Sequence, residues 1–379
     1  MRKLSLVAAI SFLALAACNR GIPAPDESAS ASAPATATAD PLASRDGQVG
    51  SAPADTTARP LMQAQVVLDR LGFTPGVIDG KMGLSMHNAL AAFQEATGIA
   101  VTGELDTATQ EALKQYQSIP ATRMVTIPAD FAAGPFVDVP KDPADQAKLP
   151  ELGYATLDEK LAERFHTTIE TLRALNPGDA PTASVAPVAS SLASETGTAA
   201  MFSAGQAIRV PNIGHDEIVS GMVKDADWLK TLVSLGVGTD QPTVEKIVVS
   251  KSKGTLKAYD SADKLVAVYT ATMGSQHDPL PLGTWKVNGI SYNPKFHYNP
   301  ALFWDASPGD KKATLPPGPN GPVGVVWIDL SKPHYGIHGT PKPETIGRAE
   351  SHGCVRLTNW DAARLAQMVH AGTKVVFEA

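Results

Sequence analysis

Apolar and polar positions recur with a different period in each part of this 379-residue chain, and every change of period marks a boundary. Leu4 to Ala17 is an apolar run behind Arg2 and Lys3, too short to span a bilayer and flanked as an export signal is, so residues 1–17 are expected to direct export. Residues 18–59 are dominated by Ala, Ser, Pro, Thr and Asp and hold no aromatic side chain. Too little apolar surface exists there to offset the entropy of ordering, and a disordered tether is expected. Between 60 and 117 apolar residues return at helical spacing: Leu61, Val67, Leu68 and Leu71, then Ala89, Leu90 and Phe93, then Ala108, Ala112 and Leu113. Three short helices fit, with a turn at Asp79 and Gly80, a stop at Gly98 and a cap at Asp106 or Thr107.

Within 150–214, LDEKLAERFHTTIETLRALN reads as two amphipathic helices and GQAIRVPNI as a closing strand. The opening strand is poorly formed before Leu157, and an Ala/Ser/Thr/Pro-rich insertion over 179–200 is expected to be a mobile loop. His166 reads as a helix-surface residue. From Val244 to Ala379 the period shortens to that of strands, in EKIVVSKSKGTLKAYD, KLVAVYTATMG, GTWKVNGI, GVVWIDL and KVVFEA. The fold class expected is therefore multidomain: a mainly-β sandwich or barrel with one helix at Asn359 to His370, preceded by a small three-helix domain and a small α+β module. The Pro-, Gly- and aromatic-rich loop from Asn293 to Gly324 is long enough to be a lid.

Composition permits a folded body, with 43% hydrophobic and 18% charged residues, and no later segment is apolar for long enough to cross a membrane. Removing residues 1–17 takes away two basic residues and no acid, so the formal charge moves from 32 − 38 to 30 − 38, or −8. Nucleic acid is thereby an unfavourable partner. There are two cysteines. Cys18 closes LALAAC; if it carries lipid, Cys354 is left without an intramolecular partner in an oxidising space, where an unpaired thiol must be buried or used.

The neighbours of Cys354 favour use. It lies in SHGCVRL, sixteen residues after His338 of YGIHGT. A cysteine is only slightly ionised near neutral pH, and a nearby histidine lowers a thiol pKa from about 8.5 or acts as its base. Gly353 lets backbone N–H groups approach a tetrahedral oxyanion, and Ser351 is placed to orient a histidine or a backbone group. His277, His297 and His334 match no zinc spacing, so no metal is expected. Trp327 and Tyr335 read as core residues, and Arg356 reads either as a structural ion-pair partner or as a binding group.

Several segments resemble known families. Leu15, Ala16, Ala17 and Cys18 resemble the lipobox of bacterial lipoproteins; this implies acylation of Cys18 and, with Asn19 following, a periplasmic protein anchored to outer-membrane lipid. The run VIDGKMGLSMHNALAAFQEATGIAVTGELDTATQEAL resembles a small peptidoglycan-binding domain, and 150–214 resembles a degenerate LysM module. YGIHGT and SHGCVRL, with LPLGTWKV, PGPNGPVGVVWIDL and GTKVVF, resemble L,D-transpeptidases of the YkuD type across 244–379.

That last resemblance implies Cys354 as nucleophile and His338 as general base. It implies backbone oxyanion donors at His352, Gly353 and Cys354, a proton-transfer role for His352, and Arg356 and Gly339 beside the substrate. It requires no cofactor. The implied reaction cuts the diaminopimelate–D-alanine amide of a tetrapeptide stem and passes the acyl group to another diaminopimelate, to a protein lysine or to water. The competing expectation is a catalytically inactive lipoprotein that clamps the outer membrane to peptidoglycan.

Overall fold

The computed structural model describes residues 40, 42–44, 55, 57–178, 200–304 and 306–379. The export signal, Cys18 and all but the last residue of the 179–200 insertion lie outside these described residues.

Helix α1 (Pro60–Arg70) opens with proline at its first turn, where the missing N–H costs nothing. Helix α2 (Leu84–Thr97) stops at Gly98 in the left-handed conformation, and α3 (Thr107–Leu113) is capped by Asp106, whose side chain accepts from the Thr109 N–H. Leu68, Leu90 and Phe93 bury the face that these helices share.

Strand β1 (Thr122–Thr126) pairs antiparallel with β2 (Ala207–Pro211). Between them run two single-turn helices, α4 (Ala129–Ala132) and α5 (Pro143–Gln146), and the hairpin of α6 (Leu157–Arg164) and α7 (Ile169–Leu175). Thr156 and Thr168 cap α6 and α7 by accepting the N–H of Glu159 and Thr171. The module expected at 150–214 therefore begins earlier. Its opening strand lies some thirty residues before Leu157, beyond where adjacency in sequence would look for it.

Two further expectations are corrected here. The tether is not free along all of 18–59, because Leu42 is fully buried against this module and Asp40 pairs with the buried Arg164 at 3.1 Å. One leucine and one acid suffice to seat a segment whose average composition is disorder-like. His166 is not on a surface: it is fully buried and stacks on Trp360, with ring centroids 5.0 Å apart.

Helix α8 (Ala226–Leu235) precedes the strands and packs into their core through Trp228, Leu232 and Leu235. The strands are β3 (Lys246–Ser250), β4 (Thr255–Tyr259), β5 (Leu265–Thr270), β6 (Thr272–Met273), β7 (Gly283–Tyr292), β8 (Phe296–Tyr298), β9 (Ala313–Leu315), β10 (Val326–Leu330), β11 (Gly336–His338), β12 (Val355–Arg356) and β13 (Lys374–Glu378). Nine of them form one mixed sheet in the order β5-β4-β3-β13-β7-β10-β11-β12-β6, with parallel pairs at β3–β13 and β11–β12. The loop expected as a lid holds the two-stranded hairpin β8–β9. Helix α9 (Asn359–Met368), capped by Thr358, packs under the sheet with Trp360 fully buried.

The three-helix domain covers the edge of the large sheet. Thr74 N–H donates to the Val268 carbonyl and Val268 N–H to the Gly72 carbonyl, each at 2.9 Å, so residues 72–74 occupy hydrogen-bonding positions that β5 would otherwise leave open. A buried ion pair completes the join: Arg364 of α9 clasps both carboxylate oxygens of Asp69 of α1 at 2.7 and 3.0 Å.

Candidate active site

Strands β10, β11 and β12 set the geometry. Their registers place Trp327, His338 and Arg356 in one cross-strand row. Cys354 immediately precedes β12, and the Gly336 N–H at the start of β11 lies beside its sulfur. A Cβ at position 336 would stand 2.5 Å from the Trp327 ring, so only glycine fits.

His338 is 4% exposed and stacks on Trp327 with centroids 5.6 Å apart. Its Nδ1 lies 2.7 Å from the Gly339 carbonyl. A carbonyl only accepts, so Nδ1 carries the proton and Nε2 presents its lone pair. Burial, aided by the charge of Arg356, pulls the imidazole pKa down to about 4, against the Gly339 hydrogen bond. Gly339 thus enters through its carbonyl, as the group that orients the base.

Cys354 is half-buried and its thiol donates to the His334 carbonyl at 3.8 Å. Burial raises its pKa above the ordinary thiol value, while the Gly336 N–H and Arg356 favour the thiolate and Asp278 opposes it. Desolvation thus works against the expected ionisation of the thiol by its histidine.

Opposite shifts of this kind have a measurable signature. Iodoacetamide labelling of Cys354, followed by mass, is expected to keep rising with pH past the point where an ordinary thiol levels off, since burial holds its pKa above the usual thiol value. Turnover is expected to fall only near pH 4, where Nε2 takes up a proton and the base is lost. A labelling plateau near neutral pH would show a preformed thiolate–imidazolium pair instead.

Ser351 serves the backbone. Its buried Oγ donates to the Cys354 carbonyl at 2.6 Å and accepts the Gly274 N–H at 2.6 Å, tying the cysteine loop to the turn after β6. Gly353 has φ +92°, and a Cβ there would meet the Tyr335 ring at 2.6 Å. Among the described residues, no acceptor takes the N–H of Gly353 or Cys354, which leaves both able to bind an oxyanion.

His352 lies against the lid hairpin, edge-on to Phe303 at 5.0 Å and 5.6 Å from Trp304, with Nδ1 3.5 Å from Arg356 Nη2. Arg356 also donates to the Glu350 carbonyl at 3.2 Å. His277 stacks on Trp304, His297 bonds Thr314 within the hairpin, and His334 contributes its carbonyl. Among the described residues no group of three His, Cys, Asp or Glu is arranged to hold a metal ion.

Trp327 and Tyr335, read from sequence as core, lie at this site: one stacks on His338, the other lies against Gly353. The signal that could have found them is the glycine spacing, since Gly336 and Gly353 are needed only if large rings lie above them.

Residues 245–377 match the family described as the YkuD L,D-transpeptidase catalytic domain, and residues 58–113 match one described as a candidate peptidoglycan-binding domain. A candidate L,D-transpeptidase YkuD of Bacillus licheniformis is 28% identical over 217 residues, 57% of this chain and 90% of its own length. The probable L,D-transpeptidase YbiS of Escherichia coli K12 is 32% identical over 140 residues, which are 35% of this chain and 44% of that protein. An L,D-transpeptidase structure from Mycobacterium smegmatis is 21% identical, with 36% of this chain and 59% of that one covered at a TM-score of 0.30. The chain thus spans less than two thirds of the Escherichia coli and mycobacterial proteins.

Proposed function

Residues 245–377 of this chain are a YkuD-type L,D-transpeptidase catalytic domain, and we propose that the protein uses Cys354 to transfer the acyl group of a peptidoglycan tetrapeptide stem, releasing D-alanine. The observation behind this reading is that His338 ends β11 while Cys354 immediately precedes its paired strand β12, with the imidazole fixed by Gly339 and its free lone pair on Nε2.

When the stem's amide carbonyl enters, Nε2 of His338 takes the thiol proton as the sulfur attacks carbon. The N–H groups of Gly353 and Cys354 receive the oxyanion. The C–N bond breaks, the D-alanine amine leaves with the proton from Nε2, and a thioester to Cys354 remains. The acceptor amine then gives its proton to Nε2, attacks the thioester and restores the thiol. Arg356, in the same row as His338, is positioned for a substrate carboxylate, and His352 lies between it and the lid. A diaminopimelate acceptor gives a cross-link, a protein lysine attaches that protein to the wall, and water gives an L,D-carboxypeptidase.

The candidate peptidoglycan-binding domain at 58–113 would hold the wall, and a lipid on Cys18 would hold the outer membrane from the periplasmic side.

Incubation with disaccharide-tetrapeptide and equal amounts of diaminopimelate-bearing and lysine-bearing amines is expected to release D-alanine and form the diaminopimelate product. A carbapenem is expected to add its mass to Cys354. No D-alanine and no adduct on folded protein would leave the inactive clamp.

A further inference from the structure

The Gly339 carbonyl that fixes the His338 tautomer belongs to a residue packed against Asn359, and the anchor of Asn359 comes from outside the catalytic domain. A Cβ at Gly339 would lie 2.3 Å from Asn359 Oδ1, and one at Gly324, whose φ is +58°, would lie 1.9 Å from the same oxygen. The Asn359 carboxamide is therefore wedged against both glycines, in space that only their missing side chains provide. Its Nδ2 is fixed from the other side, donating at 3.0 Å to the Pro319 carbonyl and at 3.0 Å to Oε1 of Glu163. Glu163 belongs to helix α6, more than eighty residues before the catalytic domain begins, and is 6% exposed. Its other oxygen accepts from Tyr154 Oη at 2.9 Å.

The same module grips the loop beside the wedge. Leu152 N–H donates to the Pro317 carbonyl at 2.8 Å, and Asn320 returns a bond to the Leu152 carbonyl at 2.9 Å. Asn320 Nδ2 reaches Glu159 Oε1 at 2.9 Å.

We propose that Glu163 is a positioning residue for the transpeptidase reaction, holding His338 in its Nδ1–H tautomer through Asn359 and the Gly339 carbonyl. The inference rests on the reading of His338 as the base. Loss of the carboxylate frees Asn359 Nδ2, the wedge rotates, and the Gly339 peptide is no longer held against the imidazole. The Nε2–H tautomer that then becomes accessible cannot accept the thiol proton, so the damage falls on kcat. A module that looks like an accessory wall binder is on this account part of the catalytic apparatus, which explains why it is joined to α9 by buried polar contacts rather than by a linker.

The test uses the full chain and D-alanine release. Glu163→Ala and Asn359→Ala are each expected to lower kcat by roughly 10- to 100-fold, with KM within about 2-fold, the range seen when a group orienting a reactive side chain is lost. Because the two act in series, Glu163→Ala/Asn359→Ala is expected to be no worse than Asn359→Ala alone; multiplicative losses would overturn the coupling. Glu163→Gln keeps a carbonyl for Asn359 and is expected to restore most of the rate.

Nitrogen-15 spectra of His338 are expected to show Nδ1–H alone in the unaltered protein and a mixture in Glu163→Ala. Leu172→Ala, a cavity in the same module's core, is expected to lower Tm without moving the tautomer. A folded Glu163→Ala protein with unchanged kcat and a single Nδ1–H signal, while His338→Gln is inactive, overturns the inference and leaves His338 as the base. An active His338→Gln overturns the underlying reading itself.

Discussion

Cys354→Ala is expected to abolish D-alanine release, by on the order of 10⁴-fold or more, with the fold intact. The loss is catalytic because the side chain contributes little to the interior: it is half-buried, whereas Val355 and Leu357, which follow it, carry the core contacts and are fully buried. Without sulfur no acyl-enzyme forms, and the oxyanion donors and the base have nothing to act upon. Cys354→Ser is expected to be nearly as inactive. An imidazole held at about 4 is a weak base, and the serine hydroxyl is a far poorer acid than a thiol. D-alanine release measured by mass spectrometry, alongside a circular dichroism melt, checks both. A Cys354→Ala protein retaining a tenth of the activity would remove the thiol from the mechanism.

Asp69→Ala is expected to cost about 3–5 kcal/mol of stability and to lower Tm by roughly 5–15 °C. Both partners of the Asp69–Arg364 pair are buried, and removing the carboxylate leaves the Arg364 guanidinium in the interior with its main acceptor gone. The neighbouring Asp361 cannot replace it, since burial keeps its own pKa near 7 and its second oxygen accepts from Thr74 at 3.3 Å.

Arg364 and His166 hold the Asp69 carboxyl well below the ordinary carboxylate range in spite of burial. A depressed acid stabilises the folded state fully above its unfolded value of about 4, and that contribution is lost as pH falls further. The difference in Tm between the two proteins is therefore expected to be constant at neutral pH and to shrink in acid. Asp263→Ala removes the partner of Lys246 at a solvent-exposed site and is expected to change stability by under about 1 kcal/mol. Equal losses in the two variants would deny any special role to the junction.

Much of the catalytic face was legible beforehand because it depends on residue chemistry at short range. His338, Ser351, Gly353, Cys354 and Arg356 lie in two motifs, and strand alternation within each motif already fixes which side chains share a side. The parallel register that joins the two motifs is not local, and neither is the burial that raises the Cys354 pKa. Trp327 looked like core because a tryptophan in an apolar strand usually is. Its place over His338 follows from pairing β10 with β11, which periodicity along one strand does not report.

Sequence by itself determined the period of each segment and the caps and stops of its helices, since these follow from neighbours a few residues away. Tertiary structure alone decided that Leu42 is seated, that the module's opening strand lies at Thr122–Thr126, that His166 is buried, and that Glu163 stands behind Gly339. Those outcomes depend on contacts between residues up to about two hundred positions apart, where the deciding quantities are burial and the pairing of buried polar groups. Neither has a value until the chain has closed on itself.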